Sequence, residues 1–422
     1  MPSRYLEVFR SRRLAIILLL GFSSGLPLAL TGGTLQAWMT VEGVDLSTIG
    51  VFTLVGLPYV WKFLWAPAMD RFVPPFLGRR RGWLLVTQVA LAVGIAGMAF
   101  LSPRTGLVAI AWLALLVAFA SASQDIVVDA YRTDVVSREE RGLAGALGVV
   151  GYRLAMLASG ALALVLVAGS GWIPALGWRD LLMAALMAVG VLAVLWGEEP
   201  STAPAAPRTL RDAVIEPLRE FFSRPKAGWI LVLLVLYKFG DAFAGSLTTA
   251  FLLRGAGFSL EDVGYVNKAV GLAATIVGVL FGGALMVRLG LYRALLGFGI
   301  LQAVSILAFM WLALVGKSYP IMVFAVGFEN IAWGMGTAAF VALLMALCDH
   351  RFTATQYALL SALASFGRVY VGPVAGYATD PKYLGLSWAT FFLLAFGTAL
   401  PGLVLVWLLR KEIERAEAAA TS

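Results

Sequence analysis

Charge is the scarcest ingredient of this chain. Only 13% of its 422 residues are Asp, Glu, Lys or Arg, about half the share of an ordinary soluble domain. A water-soluble body of this length needs far more polar surface, so the chain reads as an integral membrane protein. Cysteine and histidine are nearly absent, with Cys348 and His350 the single examples. One cysteine excludes an intramolecular disulfide and leaves the redox compartment open. His350 sits beside a cytoplasmic loop and reads as a solvated residue. No metal-ligand set, no Ser/His/Asp order and no glycine-rich nucleotide loop stands out. Gly316-Lys317-Ser318 lacks the spacing of a Walker loop, which discards ATP as the driving force. The N-terminal "MPSRYLEVFRSRRLAIILLLGFSSGLPLAL" is basic and then apolar, but it lacks a small-residue cleavage site. It reads as an uncleaved first helix, not a signal peptide.

What is present is apolar. Hydrophobic residues make up 60% of the chain, and the mean hydropathy is +0.88. A net charge of +8 raises the question of nucleic acid. The basic residues answer it, because they sit in short blocks between apolar runs, as membrane loops require. Twelve segments reach the ~20 mostly apolar residues of a spanning helix. They cover 14–40, 46–67, 82–102, 106–131, 143–168, 180–197, 227–253, 262–287, 292–315, 320–347, 354–378 and 386–409. All are expected to be helical, since an open sheet leaves its backbone unsatisfied in lipid. With both ends in the cytoplasm, 22 of the 32 Lys and Arg fall inside and five fall outside, namely Arg104, Arg179, Arg254, Lys317 and Lys382. That imbalance decides the orientation. The expected organisation is a six-helix half over 1–197, a cytoplasmic central loop over 198–226, a second six-helix half over 227–410 and a cytoplasmic polar tail over 411–422. "LSTIG" at 46–50 and "LEDVG" at 260–264 open helices two and eight at an offset of 214. A weak internal repeat of this kind fits two parallel halves.

A charge at the bilayer centre costs at least ~2.5–3.5 kcal/mol, so each one needs a reason. Asp125 and Asp129 lie on one face of helix four with Arg132, beside Gln124. Such a face looks onto a cavity or another helix. In one reading these carboxylates carry protons. In the other, Asp129 is locked in an ion pair with Arg132 or with Arg153 of helix five. Lys238 and Asp241 on helix seven are either a self-satisfied pair or part of a cavity. Glu329, followed by Asn330 on helix ten, has no basic residue within reach on its own helix. It is therefore protonated, or paired with Lys238, Lys268 or Arg368. Tyr357, Ser361, Ser365 and Arg368 form one polar stripe on helix eleven. That stripe suits an anionic cargo group, unless Arg368 serves to neutralise Glu329. Lys62 reads as a snorkelling lysine near the end of helix two. Gly142, Gly145, Gly148 and Gly151 repeat every three residues and read as close helix packing. Trp38, Trp61, Trp65 and Trp333 are suited to stacking on sugars, although interfacial anchoring is the commoner use.

Asp70-Arg71 followed by Gly78-Arg79-Arg80-Arg81 resembles the loop signature of the major facilitator superfamily, with a Pro-Pro-Phe-Leu insert. "GFSSGLPLALTGGTLQAWM", "IGVFTLVGLPYVWKFLWAPAMDR", "PPFLGRRRGWL" and "SQDIVVDAYRTDV" are similar to its muropeptide permease (AmpG-like) branch. These motifs cover roughly the first third of the chain. The resemblance implies an all-α polytopic fold of twelve spans in two pseudo-symmetric halves. It implies proton-driven import of anhydro-muropeptides across the bacterial inner membrane, by a monomer needing no cofactor beyond the proton gradient. It also implies a conformational latch of Asp70, Arg71, Arg79 and Arg80. The residues expected to couple protons are Asp125, Asp129 and Glu329. Those expected at the cargo are Gln124, Arg153, Lys238, Asp241, Lys268, Asn330, Ser365 and Arg368. The alternative is a permease for another polar solute: an acyl-CoA-like molecule, or an exported siderophore or drug. The Gly-Pro pattern of many drug antiporters is missing from helix five, which leans toward import. A membrane enzyme or receptor is the remaining class, and no nucleophile or metal cluster supports an enzyme.

Overall fold

The computed structural model describes residues 11–66, 69, 72–135, 141–170, 178–200, 216–348 and 353–421. Among these residues every regular element is helical. Spans of the first half are α1 (Arg12–Val41), α2 (Leu46–Leu64), α3 (Arg79–Met98) and α5 (Leu147–Leu166), with α4 running Leu107–Val135. α6 (Leu181–Trp196) is shorter. The second half has α7 (Ala227–Gly255), α8 (Leu260–Met286), α9 (Leu291–Val315) and α10 (Tyr319–Ala346), then α11 (Thr353–Thr379) and α12 (Trp388–Leu408). Eleven of these are long and apolar enough to cross a membrane, and α6 is the exception.

The described chain forms two compact units. One comprises Met1–Glu42 and Val55–Ala206, the other Gly43–Leu54 and Pro207–Ser422. In the first unit α1 lies directly on α5. A Cβ on Gly21 would come within 2.3 Å of the Gly148 carbonyl oxygen, and one on Gly151 within 2.1 Å of that of Leu18. Only glycine permits that approach. Leu26, Leu91, Ile95, Val117 and Met183 fill one buried cluster, and Ile16, Leu20, Leu84, Val127 and Tyr131 fill another. α1 is not continuous. Pro27 removes a backbone donor, and a π turn at Leu30–Thr34 follows, with Gly32 off helical geometry at φ −103°, ψ −110°.

Several contacts bring α6 back to the end where α1 and α3 begin. Arg12, at the start of α1, donates to the Trp196 carbonyl. The Arg81 Nε donates to the Val194 carbonyl at 2.8 Å. Just past α6, Glu199 accepts the backbone amides of Arg80 and Arg81 at 2.8 and 2.9 Å. It thereby satisfies the open N–H groups of α3. Gly78 precedes them at φ +82°, where a Cβ would strike the Glu199 side chain at 2.7 Å. For α6 to return to that end after α3, α4 and α5, it has to cross as they do. The short helix therefore completes six crossings.

The second unit closes in the same manner. Leu233, Leu234, Leu295, Phe298, Phe340 and Val406 form its core. After α12, a helix at Arg410–Thr421 docks on the unit with Ile413 only 3% exposed. Glu417 accepts the Leu291 amide at 2.9 Å where α9 begins, next to Gly290 at φ +76°. Glu412 pairs with Lys226 at 2.7 Å where α7 begins. The polar tail expected over 411–422 is helical as far as Thr421. The expected half boundary at 197 is also crossed, because Gly43–Leu54 of α2 and its lead-in cluster with the second unit. The cause is glycine. A Cβ on Gly50 would lie 2.3 Å from the Gly372 carbonyl oxygen of α11. Thr53 donates to the Val369 carbonyl at 2.8 Å, and the Ser47 amide donates to Asp380 at 3.1 Å.

Candidate functional site

Each unit buries one polar cluster in otherwise apolar helices. In the first unit α1 supplies Ser23 and Ser24, α3 supplies Gln88, and α4 supplies Gln124 and Asp125. Asp125 is half-buried and accepts a hydrogen bond from the Ser24 hydroxyl. Lys62 of α2 and Asp129 are its charged neighbours. Gln124 and Gln88, neither exposed, both donate to Ser23 Oγ, at 2.9 and 3.4 Å. Among the described residues their Oε1 atoms have no hydrogen-bond partner.

Asp129, a charged neighbour of Asp125, makes an ion pair of its own. It pairs with Arg132 at 2.9 Å, and its side chain is 60% exposed. Arg153 contacts Met156 Sδ at 3.6 Å. Arg80 makes a deeply buried ion pair with Asp134 at 2.9 Å, the two side chains being 9% and 6% exposed. Together with the Arg81 bond to α6, this ties α3 to both α4 and α6 inside one unit. Arg79 opens α3. Asp70 and Arg71 lie outside the described residues, as does the side chain of Lys268.

In the second unit the cluster gathers around a break in α7. The helix stops at Tyr237 and restarts at Phe239, with Lys238 at φ −99°, ψ 0° between the pieces. Lys238 Nζ lies 3.7 Å from Asp241 and donates to Thr337 Oγ1 at 3.2 Å. It also sits over the faces of Trp333, Tyr237 and Phe340, at 5.4, 5.7 and 5.7 Å from their centroids. Asp241 takes a hydrogen bond from Gln302 of α9. Glu329 of α10 is held by Asn330 Nδ2 at 2.8 Å, and Asn330 Oδ1 accepts from Thr275 of α8 at 3.0 Å. The charges of Lys238, Asp241 and Glu329 act on one another. Ser365 bonds back to the Ser361 carbonyl at 3.2 Å. Arg368 is exposed on α11 and forms no ion pair among the described residues.

The structure therefore brings together Gln124 with Asp125, and Lys238 with Asp241, Glu329 and Asn330. It leaves Asp129, Arg153, Ser365 and Arg368 outside those two clusters. Sequence reasoning missed Ser23, Ser24 and Gln88 in the first cluster and Gln302, Thr275 and Thr337 in the second. Lys62, read from sequence as a snorkelling lysine, is a cation whose charge acts on Asp125. The available signal was an amide side chain inside an apolar run, at Gln88 and at Gln302. A hollow of about 500 Å³ lined by Trp229, Val232, Leu236, Pro401 and Val404 is apolar throughout and contains none of these groups.

Comparison with known proteins agrees with this architecture. The Major Facilitator Superfamily model matches residues 17–376. The anhydromuropeptide permease of Escherichia coli (strain K12) is 57% identical over 416 residues, which cover 98% of this chain and 83% of that protein. A Rickettsia conorii protein named putative transporter AmpG 4 is 32% identical, over 97% of this chain and 99% of its own. Among solved structures, a POT family transporter in complex with a thioalcohol-conjugated peptide gives a TM-score of 0.74, over 95% of this chain and 96% of that one. Its 12% identity limits that likeness to the fold. With twelve helices in two similarly closed units and a family match running from α1 to α11, the chain belongs to the Major Facilitator Superfamily.

Proposed function

We propose that this chain is a proton-coupled secondary transporter that imports anhydro-muropeptides across the bacterial inner membrane by alternating access. The observation that carries the cargo is the 57% identity to the E. coli anhydromuropeptide permease over nearly the whole chain. Support for proton coupling comes from the two clusters, each of which keeps a carboxylate among membrane helices beside a single lysine: Asp125 near Lys62, and Asp241 with Glu329 near Lys238. A proton crossing down the membrane potential supplies ~2.3 kcal/mol per 100 mV, so no cofactor beyond the gradient is invoked. The protein acts as a monomer in the lipid bilayer with both termini in the cytoplasm. Asp70, Arg71, Arg79 and Arg80 are the candidates for a latch that forms in one access state. Purified protein in liposomes should accumulate labelled anhydro-muropeptide when the lumen is alkaline and only equilibrate it without a gradient. Absence of uptake under both conditions overturns the cargo, and accumulation that ignores the gradient overturns the coupling.

A further inference from the structure

We propose that Lys238 is the residue that receives a carboxylate of the cargo, exchanging its loose association with Asp241 for a direct ion pair with the transported molecule. This rests on the muropeptide reading above, whose cargo carries peptide carboxylates. An ammonium group has three N–H donors and no acceptor. Among the described residues Lys238 makes one hydrogen bond, to Thr337 at 3.2 Å. Asp241, its ion-pair partner, stands 3.7 Å away as a second and looser contact. The rest of the ammonium faces aromatic rings, which attract a cation without satisfying its donors. A cation that is only 14% exposed therefore retains unused hydrogen-bonding capacity.

The neighbouring acids are held back from that capacity. Asp241 accepts from Gln302, and Gln302 has little freedom to swing. It is 3% exposed, and its carbonyl lies against Gly336, where a Cβ would come within 1.9 Å of Oε1. Glu329 is tethered by Asn330, which is itself pinned by Thr275. Each acid thus has an amide donor of its own, so Asp241 can give up its looser contact with the lysine and keep a partner. An incoming carboxylate can take the remaining N–H capacity and displace only the 3.7 Å contact with Asp241, and charge-assisted bonds of that kind are among the stronger ones available. Lys238 also sits at the discontinuity of α7. Broken spanning helices are where transporters place binding groups, because the interrupted backbone is supported around a cavity.

The test compares free-acid anhydro-muropeptide with the same molecule carrying its peptide carboxylates as amides, in liposomes containing wild type, Lys238→Gln or Lys238→Arg. If Lys238 receives the carboxylate, amidation raises the wild-type KM roughly tenfold or more. Lys238→Gln raises the free-acid KM by a similar factor and no longer distinguishes acid from amide. Lys238→Arg keeps the charge and keeps the amidation penalty, and Lys238→Met, which removes the charge, carries the same test if the glutamine variant fails to fold. A lysine that only balances Asp241 gives a different pattern. Lys238→Gln then depresses transport of both forms equally, and the amidation penalty survives in it, which overturns the proposal. Equal wild-type KM values for acid and amide also overturn it while leaving the cargo reading intact. A wild type that transports neither form refutes the cargo reading itself.

Discussion

Two carboxylates one helical turn apart on α4 have different keepers. Asp129 is largely exposed and closes a local ion pair with Arg132, an interaction worth about 0–1 kcal/mol on an open surface. Asp125 takes its hydrogen bond from Ser24 on α1 and feels Lys62 on α2. It is thus connected to three helices, and a change in its charge is communicated to all of them. Asp125→Asn keeps the shape and removes the proton site. Gradient-driven accumulation should then fall to equilibration while counterflow of preloaded cargo persists in the same vesicles. Asp129→Asn should retain accumulation. Normal accumulation by a well-folded Asp125→Asn would remove it from the coupling role and leave Glu329 as the next candidate. The sequence singles out Asp125, because an acid in an apolar run needs a reason. Its partners were not legible there. Ser24 lies 101 residues away, and helical periodicity speaks only about a residue's own helix.

Among the elements, the segment Gly43–Leu54 is where sequence organisation and packing part. Hydropathy assigns α2 to the first half, yet backbone contact at Gly50 and Gly372 docks its beginning on α11. Hydropathy has no term for two glycines meeting across helices. Two carboxylates staple the same seam. Burial alone would raise Asp45, but hydrogen bonds from Thr48 and Ser47 and the charge of Lys382 hold it well below the usual carboxylate range. Burial likewise opposes Asp380, and the amides of Lys382 and Ser47 outweigh it, so its value is also lowered. A lowered carboxylate supports the docked form at any pH above the ordinary value of about 4, and that support is lost only as pH falls through the lower native value. The seam should therefore be indifferent to pH between about 5 and 8. Ile49, 1% exposed within it, offers a reporter. With Ile49→Cys in a Cys348→Ala background, thiol labelling should be flat across that range once corrected for thiolate fraction. It should be several-fold faster when Asp380→Asn is added. Labelling that rises steeply toward pH 5, or that ignores Asp380→Asn, would discard the staple. The breaks in α1 and α7 divide the same way. Pro27 announces the first, whereas no proline in "LYKFGD" marks Lys238 as a helix end.

At the scale of the molecule the internal repeat runs deeper than the two five-residue matches that suggested it. α2 and α8 begin at Leu46 and Leu260, each after a capping residue, Asp45 and Ser259. α3 and α9 each follow a glycine at positive φ and are each capped by a glutamate that comes after the last helix of the unit, Glu199 and Glu417. These glutamates fix a parity. α6 has to return to the end where α3 starts, and the Arg410–Thr421 helix has to lie at the end where α9 starts. Six crossings in each unit predict that the two chain termini share one side. The charge distribution, 22 basic residues against five, predicts the cytoplasm for that side. In intact cells, single cysteines placed at Ser3 and at Thr421 in a Cys348→Ala background should both resist an impermeant thiol reagent. A cysteine at Lys317, between α9 and α10, should react. If Thr421→Cys labels while Ser3→Cys does not, the crossing number is odd and α6, the one helix below spanning length, fails to traverse. If both termini label and Lys317→Cys is silent, the parity stands but the orientation drawn from the arginines is inverted. Silence at both termini with reaction at Lys317→Cys is the outcome that joins the caps, the parity and the charge count in one topology.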